Sequence, residues 1–530
     1  MIHSSSSEIN FSEILNMIGT KSEIGGVSVQ RYTFFAPPKL ETVLEDYARI
    51  AVLMQFYAKH QEVCQEMEDD LAHVTWIHTK KFNGEQILEP HDLFELKQFI
   101  YFHQKIRKLM LKYKLPSKTA LADLQELFTY LDPDGHKIPT FRLSPAYSQE
   151  LNSTFEALYK SSLALKHQVQ KRLLEARKAM QISTLKEEIV VSRLQKMQID
   201  RLKDSEFYRI SSENAANISF SLSDTAEIQE LRATILEQKE ELRAAEEQVL
   251  ISITAKVAEY QQNIRSAFDN ISLLDWDFSR ALFGIAHQCI IPTHSDRIIL
   301  KKARNLHLMK HLSATQRTLQ AIDIELSPQV NILTGPNMGG KTTALQTIGQ
   351  CSLMFRLGIP IPASAAAMPF FDFVWFNHDD RNKADDLSSF GRETVAFVNA
   401  LAKKGRGLIL LDEFAKGTNP SEGEAIASAV LQYLMQEKHT VLAATHYSAP
   451  TRIKGITQFA IKGFGSKVFA SLKSNKDIPL DKRLTLLSQA MDYNIIRLTK
   501  KQNPPLCALS IAEILGLDEK ILALARDFLE

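Results

Sequence analysis

The sequence predicts a mixed architecture: an all-α core, long antiparallel coiled-coil lever arms with a small tip, and then an α/β domain. Three observations carry that expectation. Residues 146–282 contain neither glycine nor proline, the two residues that break helices through backbone entropy and a missing donor. Within that stretch Ile228, Ile235, Leu242 and Val249 recur every seven residues, the spacing of a coiled-coil seam. From about residue 290 onward short β-rich runs alternate with helical ones, the pattern of a mostly parallel sheet covered by helices. The expected boundaries are 1–145 for the helical core, 146–286 for the levers with a tip near 203–225, and 287–530 for the α/β domain with a C-terminal helical segment.

The elements follow in order. Residues 1–112 read as amphipathic helix, with Phe94-Glu95-Leu96-Lys97-Gln98-Phe99-Ile100 a representative stretch, and a loop with Pro116, Pro133, Gly135, Pro139 and Pro145 leads into the arms. The outgoing arm, 147–201, carries Leu151, Phe155, Leu158, Leu165, Val169, Leu173 and Ile189 at looser helical spacing. Alternation around Tyr208-Arg209-Ile210 and Ile218-Ser219-Phe220-Ser221-Leu222 predicts two short strands or a small tip domain over 207–225.

Length and composition narrow the class. The 530 residues suffice for three or four compact units. Charged residues make up 24% and apolar ones 45%, as in ordinary globular chains. Lys+Arg is 63 against 62 for Asp+Glu, so no global field advertises nucleic acid or disorder. Cys64, Cys289, Cys351 and Cys507 are far apart, which excludes a disulfide scaffold and a local thiolate metal site and fits a reducing cytoplasm. The first residues lack a basic region followed by an apolar core, so no secretory leader is expected. The most apolar window, 357–376, contains Pro360, Pro362, Pro369 and Asp372, so no membrane span is expected either.

Gly335-Pro336-Asn337-Met338-Gly339-Gly340-Lys341-Thr342 satisfies G-x-x-x-x-G-K-[ST]. The run before it reads as a strand, and Thr343 onward opens a helix. Glycines let backbone N–H groups wrap phosphates, Lys341 reaches the β- and γ-phosphates, and the Thr342 hydroxyl meets Mg²⁺. Gly407-Leu408-Ile409-Leu410-Leu411-Asp412-Glu413 is a buried strand ending in two carboxylates. Asp412 would hold the Mg²⁺ shell and Glu413 would act as general base on water. Thr440-Val441-Leu442-Ala443-Ala444-Thr445-His446-Tyr447 is a further strand whose terminal His446 can sense a γ-phosphate. ATP with Mg²⁺ is the expected ligand.

At these residues the chain resembles the MutS mismatch-repair ATPases. The loop through Lys341 is similar to theirs. Asp412-Glu413-Phe414-Ala415-Lys416-Gly417-Thr418-Asn419-Pro420-Ser421-Glu422-Gly423 resembles their D-E-x-x-x-G-T-x-x-x-[DE]-G element, and Ala444-Thr445-His446-Tyr447 their A-T-H-Y. Ala508-Leu509-Ser510-Ile511-Ala512-Glu513-Ile514-Leu515-Gly516-Leu517 is similar to their closing segment. The likeness is dense over 290–530 and architectural over 1–290. It implies a P-loop NTPase domain of the ABC-ATPase type, ATP hydrolysis, and a homodimer in which a signature serine of one subunit meets the γ-phosphate held by the other. Asp385-Asp386-Leu387-Ser388-Ser389-Phe390-Gly391-Arg392-Glu393-Thr394 is the region that corresponds. It departs from the family where Glu393 replaces the serine after Gly-Arg, leaving Ser388 and Ser389 as the nearest hydroxyls; either also suits a helix N-cap. The resemblance further implies an adenine-stacking aromatic where Leu319 stands. With 334 residues before Gly335 and a last residue at Glu530, the mismatch-reading and connector domains and an endonuclease tail are expected to be missing, and Phe11-Ser12-Glu13 matches the family's aromatic-x-glutamate wedge in letters alone.

Two substrates compete. One is duplex, branched or mismatched DNA gripped through lever and clamp. The alternative is a protein partner, as for reactivation factors of cobalamin-dependent aminomutases. A transporter or chromosome-type ATPase fits poorly, because no L-S-G-G-Q is present and the coiled coil lies wholly before Gly335. Over 195–224, Lys196, Arg201, Lys203 and Arg209 face Asp200, Asp204, Glu206, Glu213 and Asp224, a net charge of −1. Phosphate contacts call for cations, so this tip shifts weight toward protein, while the family resemblance favours DNA.

Overall fold

The computed structural model describes residues 9–31, 38–313, 319–336, 340–377, 389–464, 491–499 and 508–528. The chain is mixed α/β and forms two compact units, one from 74–107 and 121–268, the other from 1–73, 108–120 and 269–530.

Two long helices dominate the first unit. Gln149–Met180 opens where the Ser148 hydroxyl accepts the Leu151 N–H at 3.0 Å, and Ala226–Glu259 opens where Thr225 does the same for Ile228 at 3.3 Å. Such caps satisfy donors that have no partner inside the helix. At 1.5 Å rise per residue each helix is roughly 50 Å long. They pack against one another, and Ile228, Ile235, Ala245 and Val249 are buried along the second, with Leu242 half-buried. Helix does not run through to residue 201. It stops at Met180, where Gln181 turns left-handed at φ 53°.

The chain then makes β1 (Glu188–Ser192), a helix Lys196–Lys203, β2 (Tyr208–Glu213) and β3 (Asn217–Leu222), paired antiparallel in the order β1-β3-β2. A third strand thus joins the two expected ones. Ile189 falls on helical spacing, yet Ile189-Val190-Val191 is a β-branched run that suits a pleated surface better. Missing glycine and proline permit helix without dictating it. Val191, Leu202, Phe220 and Ile218 form the core beneath this small sheet, and the Arg172 guanidinium lies 4.2 Å from the Phe207 ring centroid.

In the second unit β4 (Thr293–His294), β5 (Ile298–Ala303), β6 (Ile322–Leu326) and β8 (Ala365–Met368) form a four-stranded sheet ordered β4-β8-β5-β6. A six-stranded sheet runs β13-β12-β7-β11-β10-β9, built from β7 (Val330–Thr334), β9 (Phe373–Asn377), β10 (Gly407–Asp412), β11 (Thr440–Ala444), β12 (Thr457–Phe464) and β13 (Met491–Arg497). All its neighbours are parallel except β13, which returns antiparallel to β12. β7, β9 and β11 are buried along their whole length, as expected for a parallel sheet covered on both faces. Successive side chains go to opposite cores. Leu408, Leu410, Phe376 and Leu442 join one, Ile409, Leu411, Trp375 and Val441 the other.

The helix Lys341–Arg356 lies against the first of these cores and is held at its far end by charge. Arg280, fully buried, donates to the Leu357 carbonyl at 2.8 Å and the Gly358 carbonyl at 3.2 Å, closing off carbonyls that the helix cannot satisfy itself. Its other nitrogen pairs with Asp46 at 3.2 Å and with Asp277, and Arg49 pairs with the same two carboxylates. The Tyr47 hydroxyl donates to the Ile359 carbonyl at 3.0 Å, and Gln350 of the helix donates to the Ile9 carbonyl at 2.7 Å. Among the described residues no helix is long and apolar enough to cross a membrane.

Candidate functional site

The site gathers at the C-terminal ends of β7, β10 and β11, where parallel α/β sheets leave a crevice for ligands. After β7 the chain must turn sharply. Gly335 takes φ 149°, and a Cβ there would lie 3.0 Å from the Ile461 Cβ. Gly340 takes φ 79°, and a Cβ there would meet the Tyr493 ring at 3.1 Å. Only glycine fits both demands at once. Asn337, Met338 and Gly339 lie outside the described residues, as does Ser388.

Lys341 begins the helix and turns its amine back over the loop. Its Nζ donates to the carbonyls of Gly335 at 3.0 Å and Pro336 at 3.2 Å, and sits 3.2 Å from His446 Nε2 and 3.9 Å from Glu413 Oε1. Burial lowers its pKa below the ordinary lysine value, with Glu413 and Asp412 pulling it partly back. The Thr342 hydroxyl donates to Asp412 Oδ2 at 2.6 Å, joining the first turn of the helix to the end of β10. Thr343 follows on the same turn and accepts the Thr347 hydroxyl on its carbonyl at 2.6 Å.

Glu413 adopts φ 52° and Ala415 φ 65°, left-handed conformations that non-glycine residues take at a cost and that cluster at functional sites. The turn aims the Glu413 carboxylate at His446 Nε2 and Lys416 Nζ, which both bond it. Burial pushes the Glu413 pKa up, but Lys416 and His446 outweigh it, and the net shift is downward. Glu413 is therefore an ionised acceptor at neutral pH.

Two further residues, unassigned from sequence, shape this acidic loop. Asn377, at the end of β9, accepts the Asp412 N–H on its side-chain oxygen and donates to the Asp412 carbonyl at 3.4 Å. Glu393 accepts from the Asn377 amide and from the Ala415 N–H at 2.9 Å. The glutamate that departs from the family pattern is thus a brace for the loop carrying Glu413. The one sequence signal for Asn377 is an amide ending the apolar run Phe373-Val374-Trp375-Phe376. Ser389 starts the helix Ser389–Leu401 and faces the same loop: a Cβ on Gly417 would lie 2.5 Å from its hydroxyl. Tyr447 donates to the Ala415 carbonyl at 3.0 Å, and Glu424 accepts the Ser448 and Ala449 N–H groups at 2.9 and 2.7 Å.

Tyr493 also escaped the sequence reading. Its ring abuts Gly340, and its N–H donates at 2.9 Å to Gln320, the neighbour of Leu319. An aromatic face therefore stands beside the loop although Leu319 is aliphatic. Phe11, at the letters of the wedge motif, is fully buried and exposes no ring.

Comparison with known proteins agrees with this geometry. The family profile of MutS domain V matches residues 331–529. Endonuclease MutS2 of Fusobacterium nucleatum is 30% identical over 306 residues, covering 56% of this chain and 36% of that protein. Endonuclease MutS2 of Halothermothrix orenii is 35% identical over 217 residues, 39% of this chain and 27% of that protein. The Caldanaerobacter subterraneus protein of the same name is 29% identical over 307 residues, 57% and 35% of the two chains. The chain thus spans about a third of the length of these relatives. The domain V match runs through the Gly335–Thr342 loop, the acidic strand end and the closing helices, so over residues 331–529 the chain is similar to the MutS family.

Proposed function

We propose that this chain binds ATP with Mg²⁺, hydrolyses it to ADP and phosphate, and couples that cycle to binding DNA. The observation that carries the reading is the Thr342–Asp412 hydrogen bond beside the linked trio Lys341, His446 and Glu413, all at the ends of neighbouring strands. Lys341, now seated on the loop's own carbonyls, would exchange those for the β- and γ-phosphate oxygens of ATP, with the backbone N–H groups of the 335–340 loop other than Pro336, which has none, and Thr343 around the rest. Thr342 and Asp412 are the oxygen donors that fit Mg²⁺, which when bound supplies charge neutralisation on the phosphates. Glu413 takes the proton of the attacking water as the bond to the ADP oxygen breaks. His446 holds the Glu413 carboxylate in place.

In this reading 287–530 is the ATPase domain, 1–145 the core and 146–286 the levers. Ser389 or Ser388 would complete the site of a second copy, so that the working form is a homodimer in the cytoplasm. Support for DNA comes from relatives named as endonucleases. One observation favours a protein contact at the tip instead. Leu194 and Met197 are 92% and 90% exposed, while Arg193 pairs with Glu213 at 2.8 Å and Arg232 and Arg209 lie 3.1 and 3.9 Å from Asp224. The relatives lend the aminomutase-type partner no support.

The deciding experiment measures affinity for duplex and branched DNA with and without Mg-ATP across salt concentrations. Nucleotide-responsive binding that weakens steeply with salt, together with hydrolysis abolished in Lys341→Ala, is expected. Hydrolysis without any DNA binding would leave the ATPase and remove DNA as its target.

A further inference from the structure

Away from the nucleotide loop, three side chains with metal-ligating atoms meet. His307 and His311 stand four residues apart on the helix Leu306–Ser313, so they share one face. Their ring centroids are 4.6 Å apart, edge to face. Glu13 comes from the helix Phe11–Ile18, 294 residues away in sequence, and its Oε2 is 2.8 Å from His307 Nδ1. One donor atom from each of the three lies within 4.8 Å of the others. The placement is set by packing. Phe11 and Ile14 on the Glu13 helix are fully buried, which fixes its rotation and leaves Glu13 on the side facing the histidines.

We propose that Glu13, His307 and His311 bind a divalent transition metal of the zinc class. Two imidazoles and one carboxylate form a nitrogen-rich borderline set that suits Zn²⁺, whereas Ca²⁺ and Mg²⁺ prefer all-oxygen shells and Cu⁺ prefers sulfur. Three protein ligands leave a fourth position for water. Tetrahedral ligation at ~2.0–2.1 Å sets donor atoms roughly 3.3 Å apart. The ion therefore replaces the proton shared by Glu13 and His307, opens that pair slightly and draws His311 in. The side chains have room to move: Glu13 is 40% exposed, and His311 is at the surface. The nearby Lys310 ammonium opposes the cation and limits its affinity.

The ion would fasten two elements that both touch the helix starting at Lys341. Ile9, just before the Glu13 helix, accepts from Gln350 at 2.7 Å. Asn305 caps the histidine helix by accepting the Leu308 N–H at 2.9 Å and donates to Thr347 at 3.3 Å. Metal binding is thus a staple on the sheet-bearing unit.

The test is calorimetric titration of the chelator-treated full chain with Zn²⁺ in saturating Mg-ATP, paired with thermal melting. Because changes outside the ligand set already cost about 10–100-fold in metal affinity, His311→Ala and Glu13→Gln should each weaken one equivalent of Zn²⁺ at least tenfold. Zn²⁺ should raise the melting temperature of the parent and leave both variants unmoved, with Ca²⁺ inert throughout. Both substitutions change exposed or half-exposed side chains, so the variants should fold; their melting curves without metal report this directly. Equal Zn²⁺ affinity and stoichiometry in parent and variants, or no Zn²⁺ uptake by the parent, overturns the site.

Discussion

In the unit of the long helices, stability comes from repetition, and in the unit of the parallel sheet it comes from interruption. The helices Gln149–Met180 and Ala226–Glu259 bury Val169, Ile228, Ile235 and Val249, apolar side chains that are chemically interchangeable. The sheet buries equally apolar strands, but each working strand breaks its pattern at the C-terminal end with Asn377, Asp412 or Thr445. Polar groups cost free energy to bury unless bonded, and here they are: Asn377 bonds the Asp412 main chain, and the Thr445 hydroxyl accepts the Tyr447 N–H at 3.0 Å. Chemistry is concentrated where the apolar rule fails, and the comparison yields experiments that separate the two units.

The largest effect should come from Glu413→Gln. Turnover should fall about 10²–10⁴-fold, the usual worth of a positioned general base, while Mg-ATP affinity stays within a few-fold, as rapid-quench and equilibrium binding would show. Turnover at the parent rate would remove Glu413 from the chemistry. Next is Arg280→Met, which leaves the buried carboxylates of Asp46 and Asp277 short of a partner. Breaking a buried pair costs about 3–5 kcal/mol, so urea melts should show the sheet unit unfolding earlier while the long-helix unit keeps its midpoint. A common shift of both would mean that the units unfold together.

Ile235→Ala probes the other side. Ile235 is 9% exposed, and truncating such a residue costs about 2 kcal/mol, the low end for an isoleucine to alanine change. The loss should fall on the long-helix unit, with basal ATP hydrolysis unchanged. The smallest effect is acid sensitivity in that same unit. Asp132 is buried beside Lys97 at 2.9 Å. Burial raises its pKa, but the Lys97 ammonium and the Lys137 N–H prevail, and it ends below its ordinary 3.8. A carboxylate with a depressed pKa stabilises fully above its unfolded value and loses that contribution as pH falls through the folded one. Melting temperatures from pH 5 down to pH 2 should therefore drop less steeply in Asp132→Asn than in the parent.

The alternation of β-rich and helical runs beyond residue 290 made the mixed α/β sheet unit legible, because parallel strands leave a continuous apolar signature. Gly335, Gly340 and the Lys341-Thr342 pair stand out in the sequence because the G-x-x-x-x-G-K-[ST] pattern restricts both residue type and spacing, and the positive φ at both glycines is what such a turn needs. Asn377, Glu393 and Tyr493 do not stand out. Their roles depend on strands and loops brought together from distant sequence, and a single asparagine, glutamate or tyrosine has no local pattern. β1 was missed for another reason: Ile189-Val190-Val191 fits helical spacing upstream and strand propensity locally, and the antiparallel pairing of Ile189 with Phe220 decides the matter. The heptad at Ile228 predicted the buried stripe well, since helix periodicity is written in neighbouring residues.

The two hydrogen bonds between the Asn377 side chain and the Asp412 main chain carry a consequence for insertions and deletions. β10 is apolar on both faces, with Leu408 and Leu410 on one side and Ile409 and Leu411 on the other. A one-residue slip would exchange the faces at little hydrophobic cost, because leucine and isoleucine fill either core. What the slip would ruin is the order of the two acids, putting Glu413 where Asp412 meets Thr342. The strand's leucine and isoleucine body is indifferent to its own alignment, and its two ends supply the memory: Gly407, where a Cβ would lie 2.3 Å from the Phe373 ring, and the Asn377 amide at the end of β9. A library of single-residue deletions in β10 should accordingly yield folded, inactive protein, whereas the same deletions combined with Asn377→Ala should yield mixtures of alignments.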